Sequence, residues 1–538
     1  MLFNSYAFIF CFLPITLVGF DLVGRLESRK TVLAWLIVCS VFFYGLWNPI
    51  NLLIIAPSIA VNYFLARAIR SQSALGDAGA RATSILLFLG IAFNLCFLGY
   101  FKYKNFFLDS VNEVFGSQFP MIATILPLGI SFITFQKIAF LVDVRSGKIE
   151  EFDIFDFLVF VFFFPQLIAG PIVHYREMMP QFDRISKRIE SSHLAVGLSL
   201  FAVGLFKKAV LADGIALHAN PVFRYAESGH AIGFVDGWIG ATAYTMQIYF
   251  DFSGYSEMAI GLARMFGVRL PANFNSPFKA SNIIDFWARW HMTLTRFLTA
   301  YVYTPIVMRR TRSRMAQGKP ILSRKSRTFG AFAALVAGPT LVTMLISGLW
   351  HGAGATFIVW GFVHGVYLVI NHAWRLWRPD WDKVRYERVM RPLGFAITFL
   401  SVVAAMVLFR AKTFAGAGRM LAGMAGFSGA GLPQAVLSRL GAPGHWLAVH
   451  GPTSDAAFGG GELVRATAWL LTLLFVVFAL PNALELMGRF EPALNFNPSR
   501  RRRFDVRFTW GWAATFGFLL VVGAFSLNRV SEFLYWQF

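Results

Sequence analysis

Residues 329–354 read FGAFAALVAGPTLVTMLISGLWHGAG, an apolar run that ends at a histidine followed by glycines. The run Phe329–Leu349 is long enough to cross the hydrocarbon core of a bilayer, which takes about 20 residues. His351 follows almost at once, and a second apolar run begins at Phe357. An ionisable side chain at membrane depth is costly, so it tends to face a bundle interior or a wet cavity and to serve a function. The glycines at 348, 352 and 354 allow a backbone or a substrate to approach closely.

Similar apolar runs recur along the whole chain, as at Ala82–Phe101 and Thr509–Leu527. The 538 residues are 57% hydrophobic and only 14% charged, whereas soluble domains have roughly 25% charged residues. These features predict an all-α polytopic membrane protein with a single integral-membrane domain over residues 1–538. About twelve spans are predicted, at residues 6–24, 31–47, 50–69, 83–101, 121–141, 194–213, 235–263, 329–349, 354–375, 393–411, 466–484 and 509–529.

The net charge of +21 would suggest a nucleic-acid partner in a soluble chain. Here the Lys and Arg residues lie in short loops between spans, as the positive-inside rule predicts. We therefore expect the chain to sit in a lipid bilayer and to bind no nucleic acid. Arg25, Arg29 and Lys30 place the first loop in the cytoplasm and the N-terminus outside. An even number of spans then places the C-terminus and its closing aromatic residues outside as well.

Three further loops support this orientation. Residues 309–327 carry eight basic residues and no acidic one, which predicts a basic cytoplasmic loop. Arg500–Arg503 mark another cytoplasmic segment. Residues 412–465 are rich in Gly and Ala and sparsely charged, and we expect them to form a periplasmic loop.

Two apolar segments have basic residues on both sides and are predicted to be re-entrant. Ile154–Ile168 contains Pro165, and Pro171 follows, so a straight helix is broken there. Met292–Val307 is the second such segment. Irregular backbone at membrane depth is tolerated where protein or water shields it.

The sequence offers few routes to chemistry other than histidine. It has no GxSxG elbow, phosphate-binding glycine loop or CxxC pair, and its three cysteines and ten histidines give no metal-ligand spacing, so no metal is expected. A neutral imidazole can take a proton from a hydroxyl while its oxygen attacks an activated carbonyl. From chemistry alone, His351 is as well explained by a buried packing role as by a catalytic one.

Three other polar groups stand out. Asp285, Arg289 and Arg296 fall near one face if their segment is helical. Trp287, Trp290 and His291 lie between them in the sequence. An arginine there could hold a phosphorylated ligand, or the segment could be an ordinary interfacial helix. Asp251 and Glu257 lie inside an apolar span, where a structural ion pair is the alternative to a cavity role. Gln166 lies in the proline-broken segment and could line a cavity.

Four of these stretches together resemble the membrane-bound O-acyltransferase (MBOAT) family, in its bacterial alginate O-acetyltransferase (AlgI-like) branch. They are PQLIAGP at 165–171, YFDFSGYS at 249–256, FWARWH at 286–291 and GLWHG at 348–352. The similarity is collinear over nearly the whole chain. The set is specific, although each motif alone is weak.

The resemblance implies a ring of about twelve transmembrane helices plus re-entrant segments, around a thinned centre with a catalytic tunnel. The family's catalytic histidine matches His351, and its second polar position matches His291. Donor or substrate contacts are expected from Trp287, Arg289, Trp290, Asp251, Gln166 and Trp350.

The resemblance also implies a reaction and its setting. An acyl group, most simply acetyl from acetyl-CoA used as a substrate with no bound cofactor, would pass from the cytoplasm across the bacterial inner membrane to an exported polysaccharide. A periplasmic acetyltransferase of the SGNH-hydrolase type and the polysaccharide machinery would be its partners. Where relatives often carry a Gly-Asn-Arg loop, this chain has the basic segment Val307–Arg314, which could dock an acidic carrier protein or the CoA phosphates.

Two alternatives remain open at this level. Within the same family, the chain could transfer D-alanine from a carrier protein to a cell-envelope polymer. In a different class, the buried carboxylates and broken helices would suit a transporter, although no internal repeat is visible.

Overall fold

The computed structural model describes residues 1–538 except 123, 169, 186, 324–325, 451–456, 497–505, 529–533 and 535–538. In this described part the chain is helical throughout and forms no β-strand; its only strand-like feature is an isolated bridge between Pro271 and Leu494. The prediction of an all-α membrane protein is confirmed. Arg500–Arg503 and the closing aromatic residues after Leu534 lie outside the described residues.

The helices of the first half are α1 (Leu13–Gly24), α2 (Arg29–Gly45), α3 (Ile50–Ser73), α4 (Ala80–Leu98), α5 (Lys104–Phe115), α6 (Ile130–Arg145), α7 (Ile154–Phe162), α8 (Phe164–Leu167), α9 (Tyr175–Asp183), α10 (Ser191–Phe206), α11 (Asp213–Glu227) and α12 (Phe234–Met265). Those of the second half are α13 (Ile283–Trp287), α14 (Met292–Leu298), α15 (Thr304–Ala316), α16 (Phe329–Phe332), α17 (Gly338–His351), α18 (Ala355–Trp377), α19 (Lys383–Arg410), α20 (Phe414–Met424), α21 (Gln434–Leu437), α22 (Ala442–His450), α23 (Gly460–Ala479), α24 (Ala483–Leu486) and α25 (Trp510–Phe525).

Several of these helices join end to end through π-helical turns. Such turns lie at Phe8–Phe12, Gly99–Tyr103, Lys207–Ala212, Thr299–Tyr303 and Ala333–Ala337. They make longer helices, such as Ser191–Glu227 and Phe329–His351. A π turn inserts an extra residue and widens the helix locally, and it is often found at functional sites.

Seven helices in the described part are long and apolar enough to cross a membrane. They are Ile50–Ser73, Gly76–Phe115, Ser191–Glu227, Phe329–His351, Ala355–Trp377, Lys383–Arg410 and Gly460–Ala479, with shorter apolar helices at Phe8–Gly24 and Trp510–Phe525. Of the three remaining expected spans, the one at 31–47 is the 17-residue helix α2, and the other two differ for physical reasons. The span expected at 121–141 becomes helical only at Ile130, after Pro127 and a left-handed Gly129. The span expected at 235–263 is the 32-residue helix α12, which carries four charged residues.

The two segments expected to be re-entrant have different structures. The first is broken as predicted, because α7 stops at Phe162 and the four-residue helix α8 restarts with Pro165 at its first turn. The second, Met292–Val307, belongs to a continuous helical run from Met292 to Ala316. A loop was expected at residues 412–465, and in the described part of that range the structure has helices α20, α21 and α22.

The chain forms two compact units. The first comprises Met1–Phe206, Gly254–Ala272 and Ala483–Val530. Buried aromatic rings pack at its centre, among them Phe8, Phe43 and Phe164, and two buried amides, Asn62 and Asn94, bond each other between α3 and α4 at 2.6 and 3.2 Å. Such amide pairs satisfy polar groups between helices in lipid.

The second unit comprises Lys207–Ser253, Asn273–Asn482 and Ser531–Phe538. Helices α17 and α18 pack closely as an antiparallel hairpin within it. A Cβ atom on Gly348 would overlap the carbonyl oxygen of Phe357, and one on Gly361 would overlap that of Met344. The expectation that glycine permits close approach is met at Gly348 by the neighbouring helix. This packing fixes the end of α17, where His351 lies.

Candidate active site

The position of His351 is set by the turn between α17 and α18. Helix α17 ends at His351, and Gly352 and Gly354 continue in extended conformations before α18 begins at Ala355. A Cβ on Gly352 would overlap the ring of Phe357, so the turn passes tightly over that ring. His351 is thereby held at the end of a rigid helix, with only 5% of its surface exposed.

His291 lies beside His351 in the same unit. The two ring centroids are 6.2 Å apart, and His291 is completely buried. Trp350 contacts both rings, at 4.9 Å from His351 and 5.8 Å from His291. Residues 60 positions apart in the sequence therefore form one histidine pair, as required if they act on the same reacting group.

Aromatic rings enclose the pair. Trp360 meets His351 edge-on at 5.1 Å, and Phe409 does so at 5.2 Å. Phe252 packs against His291 at 4.8 Å. The rings limit the space around both imidazoles and supply a low-dielectric surrounding, in which electrostatic interactions are stronger than in water.

A strained backbone and one hydrogen bond fix the orientation of His291. Its φ and ψ of 43° and 51° are left-handed, which is uncommon for a residue other than glycine and is often found at functional sites. Its Nδ1 is 2.9 Å from Oδ1 of Asn273. That oxygen also accepts from the Thr293 hydroxyl at 2.9 Å and faces the Thr293 N–H at 3.5 Å. Oδ1 is thus an acceptor, Nδ1 of His291 donates, and Nε2 carries the lone pair.

A third histidine lies further along the hairpin. His364 is completely buried and packs against Trp360 at 4.8 Å and Trp287 at 5.3 Å. Within the described part of the chain, neither of its ring nitrogens has a hydrogen-bond partner. Trp287, Trp360 and His364 therefore form a column of rings that ends at His351.

An apolar cavity of about 330 Å3 runs beside this column. Trp287, Met344 and Ser347 line it, together with His372 on α18. Its lining residues on α17, from Thr340 to Ser347, precede His351 by 4 to 11 positions. At 1.5 Å per residue they lie about 6–16 Å before His351 along the axis. The Ser347 hydroxyl is buried and makes no hydrogen bond to a described residue.

A second cavity, of about 950 Å3, lies beyond the C-terminal end of α17. Its lining includes Ala353 and Gly354 from the turn after His351, and Phe409, whose ring contacts His351. The histidine end of α17 therefore has one cavity on each side along the helix axis.

The structure pairs Asp251 with a cation. The fully buried carboxylate lies 2.7 Å from Nζ of Lys208, and the same ammonium is 2.7 Å from Asp213. This is the ion pair that the sequence left open as the alternative to a cavity role. Removing one partner of such a pair leaves a buried charge, which is strongly destabilising.

The two neighbours of His291 in the sequence, Trp290 and Arg289, have different surroundings. Trp290 is buried among Tyr249, Phe274 and Phe286. Arg289 is half-buried and bonds Asp285 at 2.8 Å. The single helix considered for 285–296 is not formed, because α13 ends at Trp287 and the left-handed His291 precedes α14. Arg296 is therefore on another helix from Asp285.

Gln166 and Glu257 belong to the first unit. Gln166 is buried, and its Nε2 donates to the carbonyl of Phe160 at 2.6 Å. Glu257 is also buried there. The expected contribution of Gln166 to the cavity stays a prediction, as do the donor-binding roles of Trp287, Arg289, Trp290, Asp251 and Trp350.

Sequence reasoning missed the residues that position the histidines. Asn273, Trp360, Phe409 and Lys208 are isolated in the sequence from the motifs they support. The stretch PANFNSP at 271–277 held a signal for Asn273, because two asparagines between prolines follow a long apolar span. Across the described ranges, no three His, Cys, Asp or Glu side chains form a metal-binding group.

Fold and site together define a class: an integral-membrane helical protein with a buried pair of histidines. A model of MBOAT, the membrane-bound O-acyltransferase family, matches residues 40–317. The chain belongs to this family and is an acyltransferase, which sets aside the transporter alternative. The family resemblance stated from its motifs is confirmed.

Similar proteins include acyltransferases with two kinds of acyl group. The chain is 39% identical to a peptidoglycan O-acetyltransferase from Helicobacter pylori, over 80% of this chain and 81% of the relative. It is 38% identical to a probable alginate O-acetylase, AlgI, from Pseudomonas aeruginosa, over 79% of this chain and 75% of the relative. It is 28% identical to a teichoic acid D-alanyltransferase from Bacillus subtilis, over 53% of this chain and 69% of the relative.

Proposed function

We propose that this protein transfers an acetyl group from acetyl-CoA on the cytoplasmic side to a hydroxyl of an exported polysaccharide, with His351 as the general base. One observation carries the proposal: His351 and His291 are buried side by side at the end of α17, with a cavity on either side along the helix. Under this proposal the two substrates approach the imidazole from these two cavities, past Ser347 on one side and Phe409 on the other. The similarity to two O-acetyl-transferring relatives supports acetyl as the group moved.

In the proposed reaction His351 accepts one proton and later returns it. His351 takes the proton of the acceptor hydroxyl while its oxygen attacks the thioester carbonyl. The tetrahedral intermediate collapses, the carbon–sulfur bond breaks, and the imidazolium returns the proton to the leaving thiolate. The products are the acetyl ester and free CoA, and the histidine regains its starting form.

His291 is proposed to hold the acceptor rather than the donor carbonyl. With Nδ1–H committed to Asn273, its Nε2 accepts a hydrogen bond and has no proton to donate to a carbonyl oxygen. A hydroxyl that donates to Nε2 of His291 would be oriented beside His351. This assignment gives the two histidines separate tasks.

The apolar cavity beside Ser347 and Trp287 suits the acyl donor. Its position toward the start of α17 is the cytoplasmic direction in the proposed topology, and its lining is chiefly apolar, as a thioester with a short acyl chain requires. The basic segment beyond it, which includes Arg310 and Arg314 on α15, could meet the CoA phosphates or an acidic carrier protein.

The wider setting is proposed on the same basis. The bacterial inner membrane is proposed from the family resemblance, and the distribution of basic loops supports placing both termini in the periplasm. A periplasmic SGNH-type acetyltransferase and the polysaccharide machinery are the proposed partners of this protein. The second candidate, D-alanyl transfer from a carrier protein, is favoured by the teichoic acid D-alanyltransferase relatives.

A transfer assay with purified full-length protein in lipid nanodiscs distinguishes acetyl-CoA from a D-alanyl-loaded carrier protein as the donor. We expect radiolabel from acetyl-CoA to reach a polysaccharide acceptor and no label to move from a D-alanyl-loaded carrier protein. Label from the carrier alone would establish the second candidate. Turnover of neither donor, in protein that remains monodisperse, would contradict the proposed reaction.

A further inference from the structure

The helix that begins directly after His291 ends in a strongly basic surface. Helix α14, a π turn and α15 form one continuous run from Met292 to Ala316. Between Asp285 and Asp380 the sequence contains no acidic residue, whereas eight basic residues lie within 309–327. The end of this run, which is cytoplasmic in the proposed topology, therefore carries charge that no carboxylate nearby in the sequence offsets.

One face of α15 packs against the start of the membrane-spanning helix that contains α16 and α17. Nη1 of Arg310 donates to the carbonyl oxygen of Ala334 at 3.2 Å, and Nη1 of Arg314 donates to that of Gly330 at 3.5 Å. Arg314 also donates from Nε and Nη2 to the carbonyl of Pro320, at 3.1 and 2.8 Å. These two arginines are engaged by main-chain acceptors and fasten α15 to the spanning helix.

The opposite face of α15 is exposed and combines arginine with methionine. Met308, Arg312 and Met315 are spaced i, i+4 and i+7, so they fall on one side of the helix, and Arg309 lies beside them. We refer to these four residues as the arginine–methionine face. The two methionines are 49% and 60% exposed. In the part of the chain that the structure describes, Arg309 and Arg312 form no ion pair and no side-chain hydrogen bond.

The depth of α15 in the membrane follows from the spanning helix beside it. That helix runs from the exposed Phe329 to His351, about 35 Å at 1.5 Å per residue, and a hydrocarbon core is about 30 Å thick. Phe329 therefore lies near one boundary of the core. Ala334, which accepts from Arg310, lies about 8 Å further along the axis. Helix α15 is thus held where the hydrocarbon meets the headgroups.

Exposed tryptophans mark the same level at the end of α18. Trp377 and Trp381 are 41% and 42% exposed, and tryptophan is enriched at membrane–water interfaces. The ring of Trp377 contacts that of Phe332 at 4.8 Å. Nη1 of Arg327 donates to the carbonyl of Leu376 at 2.9 Å. The tryptophans and the helix length are separate observations, and both place α15 at the level of the headgroups.

We propose that the arginine–methionine face binds anionic phospholipids of the cytoplasmic leaflet and so anchors the far end of the helix that begins after His291. Arg309 and Arg312 bind the lipid phosphates, while Met308 and Met315 contact the boundary of the acyl chains. Arginine stems can lie along apolar groups while the guanidinium reaches the headgroups. The occupant is a lipid rather than the phosphates of CoA, because a soluble phosphate needs no exposed apolar side chains beside its cations. This surface lies outside both cavities, and the inference does not depend on the acyl donor.

The test measures lipid binding beside α15 in the full-length protein, without any acyl donor. A fluorophore is attached to A316C, next to the arginine–methionine face, in a protein whose Cys11, Cys39 and Cys96 are replaced. The probes are phosphatidylglycerol and zwitterionic phosphatidylethanolamine with identical brominated acyl chains, which quench the fluorophore on contact. An arginine near the surface raises affinity for an anionic lipid about fivefold, so we expect phosphatidylglycerol to bind at least that much more tightly.

Charge variants assign that preference to α15. R309Q/R312Q should reduce the affinity for phosphatidylglycerol to that for phosphatidylethanolamine, and R309K/R312K should keep most of the preference because the charges remain. R184Q/K187Q removes the same charge from two exposed positions outside α15, is the matched control and should bind both lipids as the unaltered protein does. Thermal unfolding and monodispersity of each variant exclude misfolding.

Methionine variants separate a lipid from a soluble phosphate. M308Q/M315Q should weaken the binding of both lipids, because the contact with the acyl boundary is lost while the arginines remain. This variant also tests the face if R309Q/R312Q fails to fold.

Equal affinity for the two lipids would overturn the inference, and so would an unchanged preference in folded R309Q/R312Q or unchanged lipid binding in M308Q/M315Q. Displacement of phosphatidylglycerol by CoA, with CoA binding lost in R309Q/R312Q and kept in M308Q/M315Q, would assign the face to a soluble phosphate and overturn it as well. Because no donor is present in the lipid titration, its failure contradicts this inference alone, whereas a lack of acyl turnover contradicts the proposed function alone.

Discussion

At the scale of single residues, the account depends on how one imidazole is oriented. His291 adopts a left-handed backbone and donates from Nδ1 to Asn273, which leaves the lone pair on Nε2. The tautomer of a histidine is set by the partner of its other nitrogen. Asn273 is thus a positioning residue, one step removed from the reacting atoms.

Replacing Asn273 tests that orientation. In N273L the hydrogen bond to Nδ1 is lost, and we expect kcat for acyl transfer to fall about tenfold or more while the KM for the donor changes little. N273D keeps an acceptor oxygen and should recover much of the rate. Steady-state kinetics of both variants, with the unaltered protein beside them, gives the comparison. An equal loss in N273D and N273L would show that the hydrogen bond has no orienting role.

The family motifs pointed to His351 and His291 as catalytic residues, and to Trp350 and Trp287 as substrate contacts; these roles stay predictions. That the two histidines lie together beside Trp350 is seen only in the structure. Asn273 and Phe409 could not be predicted, because their contacts are made by backbones folding over distances that no local pattern encodes. Asp251 was ambiguous until its partner Lys208 was located in three dimensions.

At the scale of elements, the hairpin of α17 and α18 sets the geometry of the site. The helices approach so closely that Gly348 and Gly361 leave no room for a Cβ atom. Helices in lipid gain stability chiefly from such close packing, since burying apolar groups there offers little advantage. The sequence showed the two apolar runs and the glycines, but not which glycine faces a helix.

Substituting Gly348 tests the role of this packing. In G348A the new methyl group meets the Phe357 carbonyl, and we expect a loss of stability of roughly 1–3 kcal/mol. G418A is the matched control, because Gly418 lies inside α20 with open space around it and alanine favours a helix by about 1 kcal/mol. Thermal unfolding in detergent compares them. Equal melting temperatures for the two variants would count against close packing at Gly348.

At the scale of the whole molecule, the account requires a fixed orientation in the membrane. The proposed donor side carries the basic helix α15, and the proposed periplasmic side carries α20 and the cavity of about 950 Å3. Apolar length and loop charge predicted a polytopic protein, and the family assignment confirms it. The number of spans was harder to predict, because helices such as α12 carry charged residues whose partners satisfy them inside the protein.

Single cysteines report that orientation. In a protein whose Cys11, Cys39 and Cys96 are replaced, we expect Q317C to react with an impermeant maleimide only after the cytoplasmic face is opened. A415C, at an exposed position of α20, should react in intact spheroplasts. Labelling of both positions from one face would contradict the topology and the proposed directions of donor and acceptor.

The most direct test of the central claim is acyl transfer by H351A. Losing a general base costs a factor of about 10²–10⁴, so we expect labelled acetyl transfer to fall by at least a hundredfold in protein that inserts and remains monodisperse. H445A, which removes an exposed histidine on α22, is the control and should keep the rate of the unaltered protein. Acetyl transfer by H351A at the same rate as by H445A would contradict the account.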